Sequence, residues 1–201
     1  MEIETEYGPA CAELDRPAGK ATFLLVMTHG SAGGVDSADL LAVRDAAVGL
    51  GGAVARVIQP YRRRGARAPG SAVRQDAAWL EIVAALRAGF PGLPLVQGGR
   101  SNGARVACRT APATGAAGVL ALAFPLHPPG RPERSRAAEL EAAGTSVLVL
   151  NGSRDPFGVP EASDTTKVVV LPGETHALTR DPGRIAAEAG AWLAVVPGLA
   201  A

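Results

Sequence analysis

The sequence predicts a doubly wound α/β fold: one domain on a mostly parallel sheet of six to seven strands, with helices on both faces. Three observations carry this. Short apolar runs alternate with helical stretches along nearly the whole chain. The runs are rich in Val and Leu without clean polar–apolar alternation, as expected where both faces of a strand are covered. A length of 201 residues at 47% hydrophobic content suits a single core.

The elements follow in order. Residues 1–16 suit an antiparallel edge strand or hairpin. Residues 22–28 read as the first buried strand and 37–50 as a helix. Residues 53–58 are the next strand, followed by Gln59, Pro60, Tyr61 and an arginine-rich loop. A helix is expected over 71–87, with Ser71 as N-cap and Val73, Ala77, Leu80 and Ala84 facing inward. Residues 93–97 form a strand that runs through a glycine-flanked turn into a helix over 102–110. Strands are expected at 118–124, 146–151 and 167–171, with a helix over 134–143. The connection from Pro125 to Ala138 is too short for a large helical lid. A last helix spans 181–196, with Asp181 and Pro182 as start signals and Ile185, Ala189, Trp192 and Leu193 inward.

Composition excludes several functions. The net charge of +1 supplies no global field for nucleic acid or an anionic membrane. No apolar run approaches the ~18 residues of a membrane span, and the N-terminus lacks a signal-peptide pattern, so a cytoplasmic location is expected. Cys11 and Cys108 make no disulfide framework, and Cys108 reads as a small buried hydrophobe. Gly19-Lys20 is followed by Ala21, which breaks a P-loop, and no glycine loop fits a dinucleotide fingerprint. Three histidines and no paired cysteines speak against a metal site. No cofactor is expected.

In such a sheet the loops after the carboxyl ends of the strands build the site. One of them is Gly99-Arg100-Ser101-Asn102-Gly103, which has the form of a nucleophile elbow: a serine on a tight strand-to-helix turn whose neighbours two positions away must be small. In a glycine-rich chain that pattern is weak alone, so the other loops decide. A serine needs a base, and the base needs an acid to fix its tautomer. Asp155 follows the fifth run and His176 the sixth. The order Ser101, Asp155, His176 is that of the α/β-hydrolase fold. Asp164 and Asp181 are alternative acids, the latter better read as a helix cap, and Glu174 is expected to face solvent. For the oxyanion, the Asn102 N–H and an N–H of the His29–Gly34 loop are the donors expected, Ser31 ahead of Ala32.

Further side chains are candidates for substrate contact. His29 either ties down its loop or lines the site. His127 is a pocket residue or a plain loop histidine. Arg100 either binds a carboxylate or a partner, or lies beside the sheet. Arg62, Arg63 and Arg64 form the one charge cluster, which reads as a solvated loop or as a surface for a protein partner.

Four blocks then resemble a known family: the His29-Gly30 loop, the Ser101 elbow, the Phe124-Pro125-Leu126-His127-Pro128 segment, and Asn151-Gly152 with Asp155-Pro156-Phe157. They are similar to the small, lidless α/β hydrolases related to dienelactone hydrolases. Within these, the likeness points to the group with the testis-expressed protein 30 type and the third regulatory subunit of the NSL histone-acetyltransferase complex. The Pro60-Tyr61 segment shares it. The resemblance implies a single-domain hydrolase with Ser101, Asp155 and His176 as its triad, and one branch of the group serves as a complex subunit. Asn102 stands where a larger apolar residue such as Met is commoner. Two functions are therefore expected in order: a cofactor-free hydrolase cleaving a small ester, thioester or lactone through an acyl-enzyme on Ser101; alternatively, a non-catalytic scaffold that binds a partner through the arginine loop.

Overall fold

The computed structural model describes residues 1–199. Its centre is an eight-stranded sheet in the order β1-β2-β4-β3-β5-β6-β7-β8. The strands are β1 (Glu2–Ile3), β2 (Ala10–Asp15), β3 (Phe23–Thr28), β4 (Gly52–Ile58), β5 (Leu95–Arg100), β6 (Gly118–Leu122), β7 (Ser146–Gly152) and β8 (Thr166–Leu171). Strands β3 to β8 pair in parallel, whereas β1–β2 and β2–β4 are antiparallel. The helices are α1 (Ala38–Gly49), α2 (Pro60–Arg63), α3 (Ala72–Ala88), α4 (Asn102–Thr114), α5 (Ala137–Glu141) and α6 (Pro182–Leu193). No helix among the described residues is long and apolar enough to cross a membrane.

The six central strands lie within three residues of their expected bounds. The expected six to seven strands become eight because the N-terminal segment folds as a hairpin whose first arm is two residues long. So short an arm leaves no apolar run to read. Buried Arg56 on β4 fixes this edge: it pairs with Asp15 and Glu13 of β2 and with Asp36 at 2.6 Å.

Two apolar clusters fill the two faces of the sheet. One joins β2, β4, β5 and β6 to α3 and α4 through Trp79, Ile82, Leu86, Val106 and Phe124. The other joins α1 and α6 through Leu40, Val43, Ile185 and Trp192. Even-numbered and odd-numbered residues of β3 divide between the clusters, Leu24 and Val26 to one, Leu25 and Met27 to the other, as the two-residue period of a strand requires.

Three expectations need correction. Helix α3 buries Gln75, Ala78, Trp79, Ile82, Val83 and Leu86 instead of the stripe through Val73; Val73 is 79% exposed. The larger side chains win the interior because burial stabilises in proportion to apolar area. The helix expected over 134–143 shrinks to the five residues of α5, because the backbone before it is held in turns, Arg134 N–H on the Arg131 carbonyl and Arg136 N–H on the Leu126 carbonyl, and Gly144 after it has φ 62°. The start of the arginine loop is helical: Pro60 at the first position of α2 presets its backbone angle. Ser71 and Asp181 do cap their helices, accepting from Arg74 N–H and Arg184 N–H.

Candidate active site

Ser101 sits between β5 and α4 with φ 53° and ψ −114°, a backbone state that costs about 1–3 kcal/mol. The turn is held by its surroundings. A Cβ on Gly99 would lie 2.6 Å from the Gly103 carbonyl carbon, and one on Gly103 would lie 2.6 Å from the Thr28 oxygen. Any side chain at either position would open the elbow. Ser101 N–H also donates to the Leu122 carbonyl of the next strand at 2.8 Å.

The structure brings Ser101, His176 and Asp155 together. Ser101 Oγ donates to His176 Nε2 at 2.9 Å, and His176 Nδ1 donates to Asp155 Oδ2 at 2.8 Å. The Asp155 side chain is fully buried and that of His176 one-fifth exposed. Asp155 Oδ1 accepts from Phe157 N–H at 2.9 Å, and Asn151 approaches Oδ2 from behind. Asn151 itself ties β7 to β6, accepting from Phe124 N–H and donating to the carbonyls of Phe124 and Gly158. The Phe157 ring packs on the imidazole with centroids 4.3 Å apart. The acid is thus fixed by three neighbours and the base by its acid and a stacked ring. Asp164 is exposed and Asp181 is occupied as a cap, so neither alternative acid reaches the imidazole.

Two further tethers hold the His176 loop. Arg100 Nε donates to Asp39 Oδ2 at 2.7 Å and Arg100 Nη2 to the His176 carbonyl at 2.5 Å. Glu174, expected in solvent, is 2% exposed; its carboxylate accepts the N–H groups of Thr179, Arg180 and Asp181. Three N–H donors on one carboxylate make it a staple for the loop between β8 and α6. Neither partnership was legible: Asp39 reads as an ordinary first-turn acid of a helix, and Glu174 as a polar loop residue.

The candidates for substrate contact fare differently. His29 has no exposure. Its Nδ1 donates to the Gly30 carbonyl and its Nε2 accepts from Gln59 N–H, so both ring nitrogens are used inside the protein and the ring does not line the site. Burial lowers its pKa, with the Arg62 charge adding to the effect and the Gly30 carbonyl opposing it. Arg100 is likewise spent on Asp39 and the His176 backbone. His127 is half-buried, its Nδ1 on the Pro128 carbonyl; it has no hydrogen bond to Ser101, Asp155 or His176 among the described residues.

The loop after β3 does approach the elbow: a Cβ on Gly30 would lie 3.3 Å from Ser101 Cβ. Ser31 N–H has no acceptor among the described residues, and the Asn102 N–H is the first of α4, with no partner in the helix's own ladder. Around Arg62, Arg63 and Arg64 the contacts are local: Arg62 donates to the Gly33 and Ala66 carbonyls, Arg63 pairs with Glu2, and Arg64 donates to the Tyr7 carbonyl.

Such an arrangement can deprotonate a serine as it attacks a carbonyl and can return the proton to a leaving group. Comparisons with known proteins agree with the architecture. A family model described as an alpha/beta hydrolase domain matches residues 21–179. Est1E from Butyrivibrio proteoclasticus, solved with ferulic acid bound, superposes with a TM-score of 0.80 at 17% identity over 98% of each chain. XC6422 from Xanthomonas campestris, described as a serine hydrolase without a lid, gives 0.77 at 17% identity over 96% of this chain and 92% of its own. TT1662 from Thermus thermophilus gives 0.71 at 24% identity over 94% of each chain. No curated protein matches.

Proposed function

The chain belongs to the alpha/beta hydrolase domain family, and on that premise we propose that it is a serine hydrolase cleaving a small ester, thioester or lactone through an acyl-enzyme on Ser101. The observation that carries this is the continuous chain from Ser101 Oγ through the imidazole of His176 to buried Asp155, with both links under 3 Å.

Ser101 Oγ attacks the carbonyl carbon while His176 Nε2 takes its proton. Asp155 keeps the proton of His176 on Nδ1 and stabilises the imidazolium. The tetrahedral oxygen, now an anion, is received by the Asn102 and Ser31 N–H groups, with Ala32 as the alternative to Ser31. His176 then protonates the leaving oxygen or sulfur, the bond to it breaks, and the ester on Ser101 remains. Water gives a proton to His176 and attacks that ester; the bond to Ser101 Oγ then breaks as His176 returns the proton to Oγ, and the acid leaves.

Only α5, five residues long, lies between β6 and β7, so the site suits small or extended substrates. Arg62, Arg63 and Arg64 are engaged by their own loop, the loop after β3 and the N-terminal hairpin, which gives the scaffold reading no support.

A fluorophosphonate probe and 4-nitrophenyl esters of acetate and butyrate test the reading, with methyl ferulate added because Est1E was solved with ferulic acid. Wild type should be labelled on Ser101 and turn over at least one short ester; Ser101→Ala should lose labelling and at least about 10⁴-fold in kcat. An unlabelled wild type, or equal labelling of Ser101→Ala, ends the proposal.

A further inference from the structure

Two polar atoms beside Ser101 have no partner beyond each other. Asn102 Nδ2 and Tyr61 Oη are buried without a hydrogen bond of normal geometry, in residues only 8% and 5% exposed. They are neighbours. Burial pushes the Tyr61 hydroxyl up to about 12, against the opposing pull of the Arg62 charge and the Asn102 amide, so at neutral pH the phenol keeps its proton and is a donor. An orphaned buried donor costs about 1–3 kcal/mol. Two side by side are hard to retain as accidents of packing, and they suit a site that awaits an acceptor.

Their place in the fold says which part of a substrate would meet them. Asn102 directly follows Ser101. Tyr61 stands edge-on to His29, ring centroids 5.7 Å apart, at the root of the loop that carries Ser31. In the sheet, Tyr61 follows β4, on one side of β3 and β5, whereas Asp155 and His176 follow β7 and β8 on the other. The leaving group must lie toward His176, which protonates it. The acyl group therefore extends the opposite way, toward Tyr61. On its far side from Asn102, Tyr61 lines a cleft of about 610 Å³ with Gln59, Pro60, Ser71 and Gln75, a cleft whose walls do not include Ser101. Neither glutamine accepts from the Tyr61 hydroxyl; Gln59 Oε1 instead accepts from Gln75 Nε2.

We propose that the Asn102 amide and the Tyr61 hydroxyl form a subsite for an oxygen acceptor in the acyl chain, an ether, keto or hydroxyl oxygen close to the reacting carbonyl. This inference rests on the hydrolase reading and gives it a substrate class: oxygenated acyl esters over plain alkanoyl ones.

Two esters isolate the effect. 4-Nitrophenyl methoxyacetate and 4-nitrophenyl butyrate differ in the acyl chain by one oxygen for one methylene. The ratio of their kcat/KM values is measured for wild type, Tyr61→Phe and Asn102→Leu. The greater intrinsic reactivity of the methoxy ester is common to all three proteins and cancels. Both side-chain changes keep the backbone N–H at 102. The ratio should fall about tenfold in each variant, the order expected when one hydrogen bond to the substrate is lost. A ratio within twofold of wild type in both variants overturns the subsite while leaving the hydrolase reading intact. A wild type that turns over neither ester overturns the subsite, and only if it is also unlabelled by the fluorophosphonate does the hydrolase reading fall with it.

Discussion

Arg100 occupies the position before the nucleophile, where a small residue would suffice, and its planar fork joins two groups that lie far apart in sequence. Nε binds Asp39, whose side chain is fully buried, and Nη2 binds the His176 carbonyl. The ion pair serves to place the imidazole loop over Ser101. Arg100→Met leaves the Asp39 carboxylate in the interior with only the Leu40 N–H, so urea unfolding should show a loss of about 3–5 kcal/mol. Adding Asp39→Asn removes the uncompensated charge, so the double variant should be less unstable than the sum of the singles; strict additivity would show that the pair is not coupled. Arg100→Lys keeps the charge but cannot reach both partners with one fixed fork. Its kcat should fall while Asp39 stays paired, which separates placement of His176 from stability.

Helix α3 shows how an element can be recognised and its orientation missed. Its bounds differ from expectation by one residue at each end, yet its buried face is not the one expected. In an alanine-rich helix several stripes look apolar, and the true one contains Gln75, a polar residue. What rescues that face is a set of partners from other strands: Trp79 Nε1 donates to Gln97 in the middle of β5, Thr110 donates to the same oxygen, and Gln75 donates to Gln59. Periodicity cannot show a buried amide satisfied from across the sheet. Two substitutions check the assignment. Ile82→Ala should cost about 2–5 kcal/mol as a buried truncation, while Val73→Ala should stay within about 0.5 kcal/mol of wild type. A larger loss at Val73 than at Ile82 would mean that the helix faces the other way. The same logic divides the site. Ser101, Asp155 and His176 were legible because each ends a strand in a fixed order. Asp39, Glu174 and the Tyr61–Asn102 pair were not, because their meaning lies in which loops meet in space.

On the scale of the molecule, the parallel sheet gathers the ends of β3, β5, β7 and β8 at one edge, and buried polar groups brace that edge from behind. His29 is the most consequential of these for the behaviour of the whole protein with pH. With Nδ1 bonded to the Gly30 carbonyl, protonation must occur at Nε2, where it would abolish the bond from Gln59 N–H. The folded state therefore holds His29 neutral, its pKa below the ordinary 6.5. The unfolded chain binds that proton more readily, so folding stability is complete above pH 6.5 and declines as pH falls toward the lowered value. The slope approaches one proton, about 1.4 kcal/mol per pH unit. Glu139 acts lower down. Burial raises its pKa, but Arg105 and Arg109, which bind it from α4, outweigh that and leave it depressed. Its contribution is present above its unfolded value of 4.5 and is lost only as pH falls through the folded one. Denaturant titrations from pH 8 to pH 3 should thus show a first decline beginning near 6.5 and a second, steeper one below about 4.5. His29→Gln should flatten the first and keep the second, and Glu139→Gln should do the reverse. A profile with the upper limb unchanged in His29→Gln would place the titrating group elsewhere and take from His29 its role as a neutral brace beneath the loop that carries Ser31.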